Sequence, residues 1–228
     1  YTYIFEQGEL PLITEQGKLI LNRQGLIKEA SNVNGGIFNS MLKKGVIADM
    51  EKRGIEWVFI GSVDNILLKY VDSLLLGLTA SQGNEIGTRT VLKRDPQERV
   101  GVLCKQNNKI KVIEYTELPK EIACIKDDDG ELVFGESHIM CNLFSLNAIK
   151  RASTKELEYH IAFKKADYLD EDGNFVKATV PNAYKFEQFI FDSFKLFDNI
   201  SILRGKREED FAPVKNMVGE DSPETAKK

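Results

Sequence analysis

Asp64 is the residue whose setting points most directly to chemistry. It stands in Ser62-Val63-Asp64-Asn65, just past the very apolar residues 55–60, which read as a buried central strand. At the carboxyl end of a strand in an open α/β sheet, a carboxylate can hold a divalent cation against a phosphate. The same residue type equally caps a following segment. Asn34-Gly35-Gly36 precedes a weak helical pattern at residues 37–44, closed by Gly45. Its backbone N–H groups carry little bulk and could receive a ligand, although an ordinary turn also explains the pair. Phe189 and Phe191 flank Ile190 within residues 186–197, whose apolar spacing predicts the clearest helix of the chain. Residues two apart do not share a helix face, so one ring should leave the core stripe, either to close over a sugar or base or to pack on a loop. Lys215 lies in the apolar island Phe211-Ala212-Pro213-Val214-Lys215-Asn216 of a charged tail, which would carry the lysine inward or leave it solvated. His138 and His160, the two histidines, have no neighbours at metal-ligand spacing, so structural roles are the default. No Gly-x-Ser-x-Gly, Walker-type loop or Gly-x-Gly-x-x-Gly occurs.

The elements that must position these residues follow from pattern. Strand-like sequence occupies residues 1–5, 88–92, 100–104, 110–115, 137–144 and 200–204, and residues 12–13 and 19–21 read as a short hairpin about Gln16-Gly17. Residues 6–11 read as turn material, Asn107-Asn108 as a turn, and residues 127–130 and 170–173 as acidic turns. Helical spacing appears over residues 71–82, with apolar positions 71, 74, 75 and 78, and a helix is also expected over residues 156–166. Alternating strands and helices in the first half predict βαβ units and a mainly parallel sheet, with antiparallel additions from the strand-rich middle. The expectation is one α/β domain over residues 1–216 and a polar, frayed tail over 217–228.

Composition narrows the function classes. The chain has 228 residues, 42% hydrophobic and 29% charged, which suits one or two globular domains at about 150 residues each. Its 31 Lys and Arg against 35 Asp and Glu leave a formal charge of −4, so no basic field is available for nucleic acid. Local cationic clusters around a small phosphorylated ligand stay open. No run approaches the ~20 apolar residues of a membrane span, and no signal peptide is visible. Cys104, Cys124 and Cys141 are odd in number and widely spaced, as expected of reduced thiols in the cytoplasm. The chain opens in strand-like sequence without methionine, so it is expected to be part of a longer protein.

Eight collinear segments, spanning nearly the whole chain, carry a resemblance: Phe5-Glu6-Gln7-Gly8-Glu9-Leu10-Pro11; Asn34-Gly35-Gly36; Asp49-Met50-Glu51-Lys52-Arg53-Gly54-Ile55; Val63-Asp64-Asn65-Ile66-Leu67; Pro96-Gln97-Glu98-Arg99-Val100-Gly101-Val102; Val112-Ile113-Glu114-Tyr115-Thr116-Glu117; Pro181-Asn182-Ala183-Tyr184-Lys185-Phe186-Glu187-Gln188-Phe189-Ile190-Phe191-Asp192; and Phe211-Ala212-Pro213-Val214-Lys215-Asn216. In this order they resemble the eukaryotic-type UDP-sugar pyrophosphorylases, most closely the UDP-N-acetylglucosamine pyrophosphorylases. The resemblance implies a Rossmann-like nucleotidyltransferase core that makes UDP-sugar and pyrophosphate from UTP and a sugar 1-phosphate, with Mg²⁺. It implies that Gln7 faces uracil, that Asn34 and Gly35 contact the nucleotide-sugar, and that Asp64 holds the metal. Gly101, Glu114, Phe189 and Phe191 would shape the sugar pocket, Lys185 would contact substrate, and Lys215 would bind the sugar phosphate.

Three departures stand beside these matches. The family's glycine-rich triphosphate loop, Gly-x-Gly-Thr-x-x-Gly followed by Pro-Lys, is not among the 228 residues; Val33 stands where the family usually has Gly; and His138 replaces a sugar-facing Asn. Two readings result: part of a pyrophosphorylase whose glycine-rich portion lies upstream, or a non-catalytic UDP-sugar-binding module.

Overall fold

The computed structural model describes residues 2–227, and Tyr1, part of the expected first strand, lies outside them. The strands are β1 (Glu9–Pro11), β2 (Glu29–Ser31), β3 (Trp57–Gly61), β4 (Ile86–Leu92), β5 (Val102–Gln106), β6 (Lys109–Ile113), β7 (Glu136–Ser145), β8 (His160–Lys164), β9 (Tyr168–Leu169), β10 (Phe175–Val176), β11 (Ala183–Glu187) and β12 (Ser201–Arg204). The helices are α1 (Ile37–Lys43), α2 (Val46–Lys52), α3 (Ser73–Ser81), α4 (Lys120–Ala123), α5 (Leu146–Ser153) and α6 (Arg207–Asp210), with 3₁₀ turns at Ile190–Leu196 and Thr225–Lys227. Two compact units result, one from the residues up to Ala48 with Ala152–Ser193, the other from Asp49–Arg151 with the residues from Phe194 onward. Among the described residues no helix is long and apolar enough to cross a membrane.

The second unit is built on β7. One edge of β7 pairs with β4 along its length, while the other is shared by β3, opposite residues 141–145, and β5, opposite Ser137. β6 continues from β5 through Asn107 and Asn108, both at positive φ (48° and 64°), as a tight two-residue hairpin turn requires. β12 lies parallel to β4. The sheet is therefore mixed, as expected, but its balance is reversed: β12–β4 is parallel and the other four ladders are antiparallel. The reason is an insertion. β3, α3 and β4 do form a unit whose strands run the same way, but β7 enters between the two strands and runs against both. That insertion also leaves β3 at the edge of its half of β7, with only Ile60 fully buried, rather than in the centre.

A bulge shapes the shared edge. Pairing between β4 and β7 shifts register between Arg89 and Thr90, and Met140 adopts φ 52°. Because β3 ends on one side of this irregularity and β5 begins on the other, the loop after β3 and the loop before β5 leave the sheet at the same place. Asp64 is on the first loop and Gly101 on the second.

Helix α3 differs from expectation in which face it buries. Asp72 caps it, accepting the N–H groups of Leu74 and Leu75, and the buried positions are Leu75 and Thr79. Val71 and Leu74 are 80% and 63% exposed, Val71 being held before the helix at φ 56°. In the final segment, Lys215 and Asn216 both donate backbone N–H groups to the Asp221 carbonyl, and Ser222 is buried.

In the first unit, residues 2–5 form no strand, and the expected turn at 6–11 instead ends in β1, which pairs with β2. The short hairpin is present, with Ile13 bridged to Leu19 and Gly17 at φ 76°. Leu12 and Ile20 pack with Ala166 and Ala183 in a small core. The two helices expected over 156–166 and 186–197 are absent. β8 and β11 pair antiparallel there, Ala183 opposite Lys164 through Glu187 opposite His160, and the chain turns into a 3₁₀ helix only at Ile190. Pairing between distant segments overrode the helical spacing, because each strand satisfies the other's backbone groups. The acidic turn at 170–173 joins β9 to β10 as expected, with Gly173 at φ 81°.

Candidate functional site

In the second unit, Asp64 and Lys215 come together: Lys215 Nζ stands 3.6 Å from Asp64 Oδ2. Ser62 Oγ donates to the other carboxylate oxygen. Asp64 is not the cap of the next helix, since that role belongs to Asp72. The apolar island does dock, with Phe211 packed against the cluster of Val91, Ile139 and Cys141, and Lys215 is carried to the edge of a cavity of about 430 Å³ that Arg94, Arg99 and Val100 also line.

Gly101 follows Val100 and adjoins Glu114. A Cβ at position 101 would stand 2.9 Å from Val112 Cγ1 and 3.0 Å from Glu114 Oε1, so glycine allows an approach that alanine would force open. The Gly101 carbonyl accepts the His138 N–H at 2.9 Å. The His138 ring is 6% exposed, meets Phe194 edge-on at 5.7 Å and places Nε2 3.0 Å from Asn142 Oδ1. Burial pushes its pKa down to about 4 despite that hydrogen bond, so the ring is neutral and donates from Nε2.

In the first unit, Gln7 and Gly35 line a cavity of about 680 Å³ together with Asn32 and Lys44. Gln7 Oε1 and Asn32 Oδ1 are buried acceptors without a hydrogen-bond partner. The glycine pair is fixed by packing. The Gly35 N–H donates to Gln188 O at 2.8 Å, a Cβ there would meet Gln188 Cβ at 2.6 Å, and one on Gly36 would meet Asn32 Oδ1 at 2.8 Å. Asn34 Oδ1 accepts the Ile190 N–H at 2.8 Å, tying this loop to the start of the 3₁₀ helix. Val33, at φ 68°, holds a backbone conformation that suits glycine and strains a β-branched residue. Lys185 pairs with Glu187 at 2.9 Å on β11.

Phe189 and Phe191 are not divided between two helix faces. Their rings stack at 4.9 Å and 8°, because Phe189 precedes the 3₁₀ turn. His160 meets Phe189 edge-on at 5.0 Å and places Nε2 3.0 Å from Asp192 Oδ2. That buttress could not be read from sequence while residue 160 was assigned to a helix. Also missed was the ion-pair group in which Arg89, on β4, bonds Asp72 and pairs with Asp210 at 2.8 Å, while Lys69 holds the other Asp210 oxygen at 2.8 Å. Burial opposes Asp72 ionisation, but hydrogen bonds from Arg89 and the α3 N–H groups outweigh it and hold the carboxyl below its ordinary range.

The donor set around Asp64 decides how an ion could be held. Among the described residues no group of three or more His, Cys, Asp or Glu side chains could enclose a metal. One carboxylate with a neighbouring hydroxyl fits Mg²⁺, which commonly binds one or two carboxylates and takes its remaining ligands from substrate phosphates and water.

The fold and this strand-end carboxylate define an α/β protein of the nucleotide-sugar pyrophosphorylase architecture. A solved UDP-N-acetylglucosamine pyrophosphorylase from Trypanosoma brucei, in complex with inhibitor, superposes with a TM-score of 0.82 at 30% identity, over 96% of this chain and 45% of that one. The chain belongs to the UTP–glucose-1-phosphate uridylyltransferase family, which it matches over residues 2–219. It is 39% identical to the human UDP-N-acetylhexosamine pyrophosphorylase-like protein 1, over 98% of this chain and 45% of the relative. It is 35% identical to the UDP-N-acetylglucosamine pyrophosphorylase of Saccharomyces cerevisiae, over 98% and 49% respectively. The chain thus spans about half the length of the curated relatives it matches.

Proposed function

We propose that this protein joins UTP to a sugar 1-phosphate, an N-acetylhexosamine 1-phosphate in the first instance, forming UDP-sugar and pyrophosphate in the cytoplasm. The observation that carries the reading is the Lys215 ammonium 3.6 Å from the Asp64 carboxylate at a strand end. Attack of a sugar-phosphate oxygen on the α-phosphorus of UTP brings two anions together, so positioning and charge neutralisation matter more than a proton acceptor. Lys215 binds and orients the sugar phosphate. Glu114 accepts hydrogen bonds from sugar hydroxyls, and Gly101 beside it leaves room for the ring. Gln7 Oε1, a buried acceptor, suits the N3–H of uracil. On the first unit, Asn34 and Gly35 serve the nucleotide, Phe189 and Phe191 offer an apolar wall and Lys185 offers a substrate contact; on the second, His138 offers another. A Mg²⁺ ion on Asp64 would add charge neutralisation at the phosphates.

The test is Asp64→Ala in the full-length protein, assayed as UTP-dependent pyrophosphate release with N-acetylglucosamine 1-phosphate, N-acetylgalactosamine 1-phosphate and glucose 1-phosphate. Turnover should vanish with an unchanged circular-dichroism spectrum; near-normal turnover refutes the assignment. A second reading is a UDP-sugar-binding module. Binding of UDP-sugar by the full-length protein with no pyrophosphate release from any of the three substrates would select it.

A further inference from the structure

We infer that Asn65 is a positioning residue for this reaction: its buried amide clasps the segment carrying Lys215 onto the loop carrying Asp64 and so sets the separation of the two charges. The inference rests on the roles given above to Asp64 and Lys215. Asn65 is 4% exposed. Its Nδ2 donates to the Asp210 carbonyl at 2.8 Å, and its Oδ1 accepts the Ala212 N–H at 2.9 Å and the Leu67 N–H at 3.3 Å. The backbone alongside continues the attachment: Ile66 donates to Ala212 O at 3.3 Å and Val214 donates to Asp64 O at 2.8 Å. Asn65 stands opposite Pro213 in this short antiparallel contact. The bonds on either side make this a non-hydrogen-bonded pair, so Pro213 costs no rung; the Ala212 N–H, which such a ladder directs at the Ile66 carbonyl, goes to Asn65 Oδ1 instead. The asparagine amide presents a donor and an acceptor as a peptide group does, and its acceptor takes that carbonyl's place.

The clasp is also well anchored. Asp210, whose carbonyl it holds, is itself fixed by Arg89 and Lys69, and Lys215 donates its own N–H to Asp221 O at 2.7 Å. With residues 210, 212 and 214 tied down, the Lys215 Cα is fixed, and only the side-chain torsions remain to be set. Loss of the clasp takes the partner from the buried Asp210 carbonyl and from the half-buried Ala212 N–H and lets the segment lift away from Asp64.

The experiment compares Asn65→Ala, Asn65→Asp, Lys215→Ala and the Asn65→Ala/Lys215→Ala double variant in the full-length protein. Asn65→Asp keeps the acceptor for Ala212 but turns a carboxylate oxygen toward the Asp210 carbonyl. Expected for Asn65→Ala is faster hydrogen exchange in peptides containing Ala212 and Val214, and a fall in kcat/KM for the sugar 1-phosphate on the order of a hundredfold, with KM for UTP unchanged. Asn65→Asp should fall between this variant and the parent, and it answers the question if Asn65→Ala does not fold. In the Lys215→Ala background, Asn65→Ala should cause no further loss, because it acts through the lysine. Losses that multiply, or unchanged exchange together with an unchanged kcat/KM for the sugar 1-phosphate, overturn the clasp. Normal turnover by Lys215→Ala instead overturns the assignment of the lysine, and with it the purpose of the clasp, even where exchange at residues 212 and 214 still responds to Asn65.

Discussion

Buried in the second unit, His138 gives the protein a measurable acid response. Its pKa of about 4 lies below the ordinary 6.5, because burial disfavours the charged ring. The unfolded chain therefore binds a proton that the folded chain refuses between those two values. Stability from this group is complete above pH 6.5 and declines as pH falls toward 4, by on the order of 3 kcal/mol in all. Urea denaturation at pH 7, 5.5 and 4.5 should show the decline, and His138→Asn should flatten it; an equal slope in the variant would assign the response to other groups. Val33 illustrates the other kind of residue-scale information. Its departure from the glycine usual in the family could be read from sequence, and the structure supplies the physical cost, a β-branched side chain at φ 68°.

At the scale of elements, legibility depended on whether the signal was local. The hairpin at Asn107-Asn108, the ends of α1 and α2 at Gly45 and Gly54, and the turn at 170–173 were all marked by residues that tolerate positive φ, and all occur where expected. The β8–β11 pair was not legible, because its partners, from Lys164 with Ala183 to His160 with Glu187, lie far apart in the chain and the apolar spacing of residues 186–197 fits a helix as well. For the same reason the stacking of Phe189 on Phe191 was hidden in the sequence. Asp64 and Lys215 were legible as candidates, whereas Asn65 gave no sign beyond its place beside Asp64. The ion-paired elements give a prediction of their own. A Cβ at Gly205 would stand 1.8 Å from Asp210 Oδ2, so this glycine and the Arg89–Asp210 pair form one arrangement. Asp210→Ala leaves Arg89 and Lys69 undercompensated and should cost about 3 kcal/mol in urea denaturation. Gly205→Ala should cost a similar amount, and the double variant little more than either single one; additive losses would show the two features to be independent.

For the whole molecule, the sequence established an α/β protein with a mixed sheet and an order of segments that identified the family. It could not establish the balance of strand directions, because β7 inserts between β3 and β4 from far along the chain. The prediction at this scale concerns residues 1–228 as an isolated polypeptide. With no glycine-rich triphosphate sequence among them, they should release no pyrophosphate from UTP and N-acetylglucosamine 1-phosphate above background. Robust release would mean that other residues of the chain hold the triphosphate.

The interleaving of the two units bears on how the polypeptide is made. β11, which completes pairing in the first unit, ends at Glu187, and β12, which completes the sheet of the second, ends at Arg204. A ribosome delivering the chain from its amino end thus finishes the first body only after residue 187 has emerged and the second only after residue 204. Nascent chains stalled near residue 150 should carry unpaired edges in both, and would be the species most in need of chaperones.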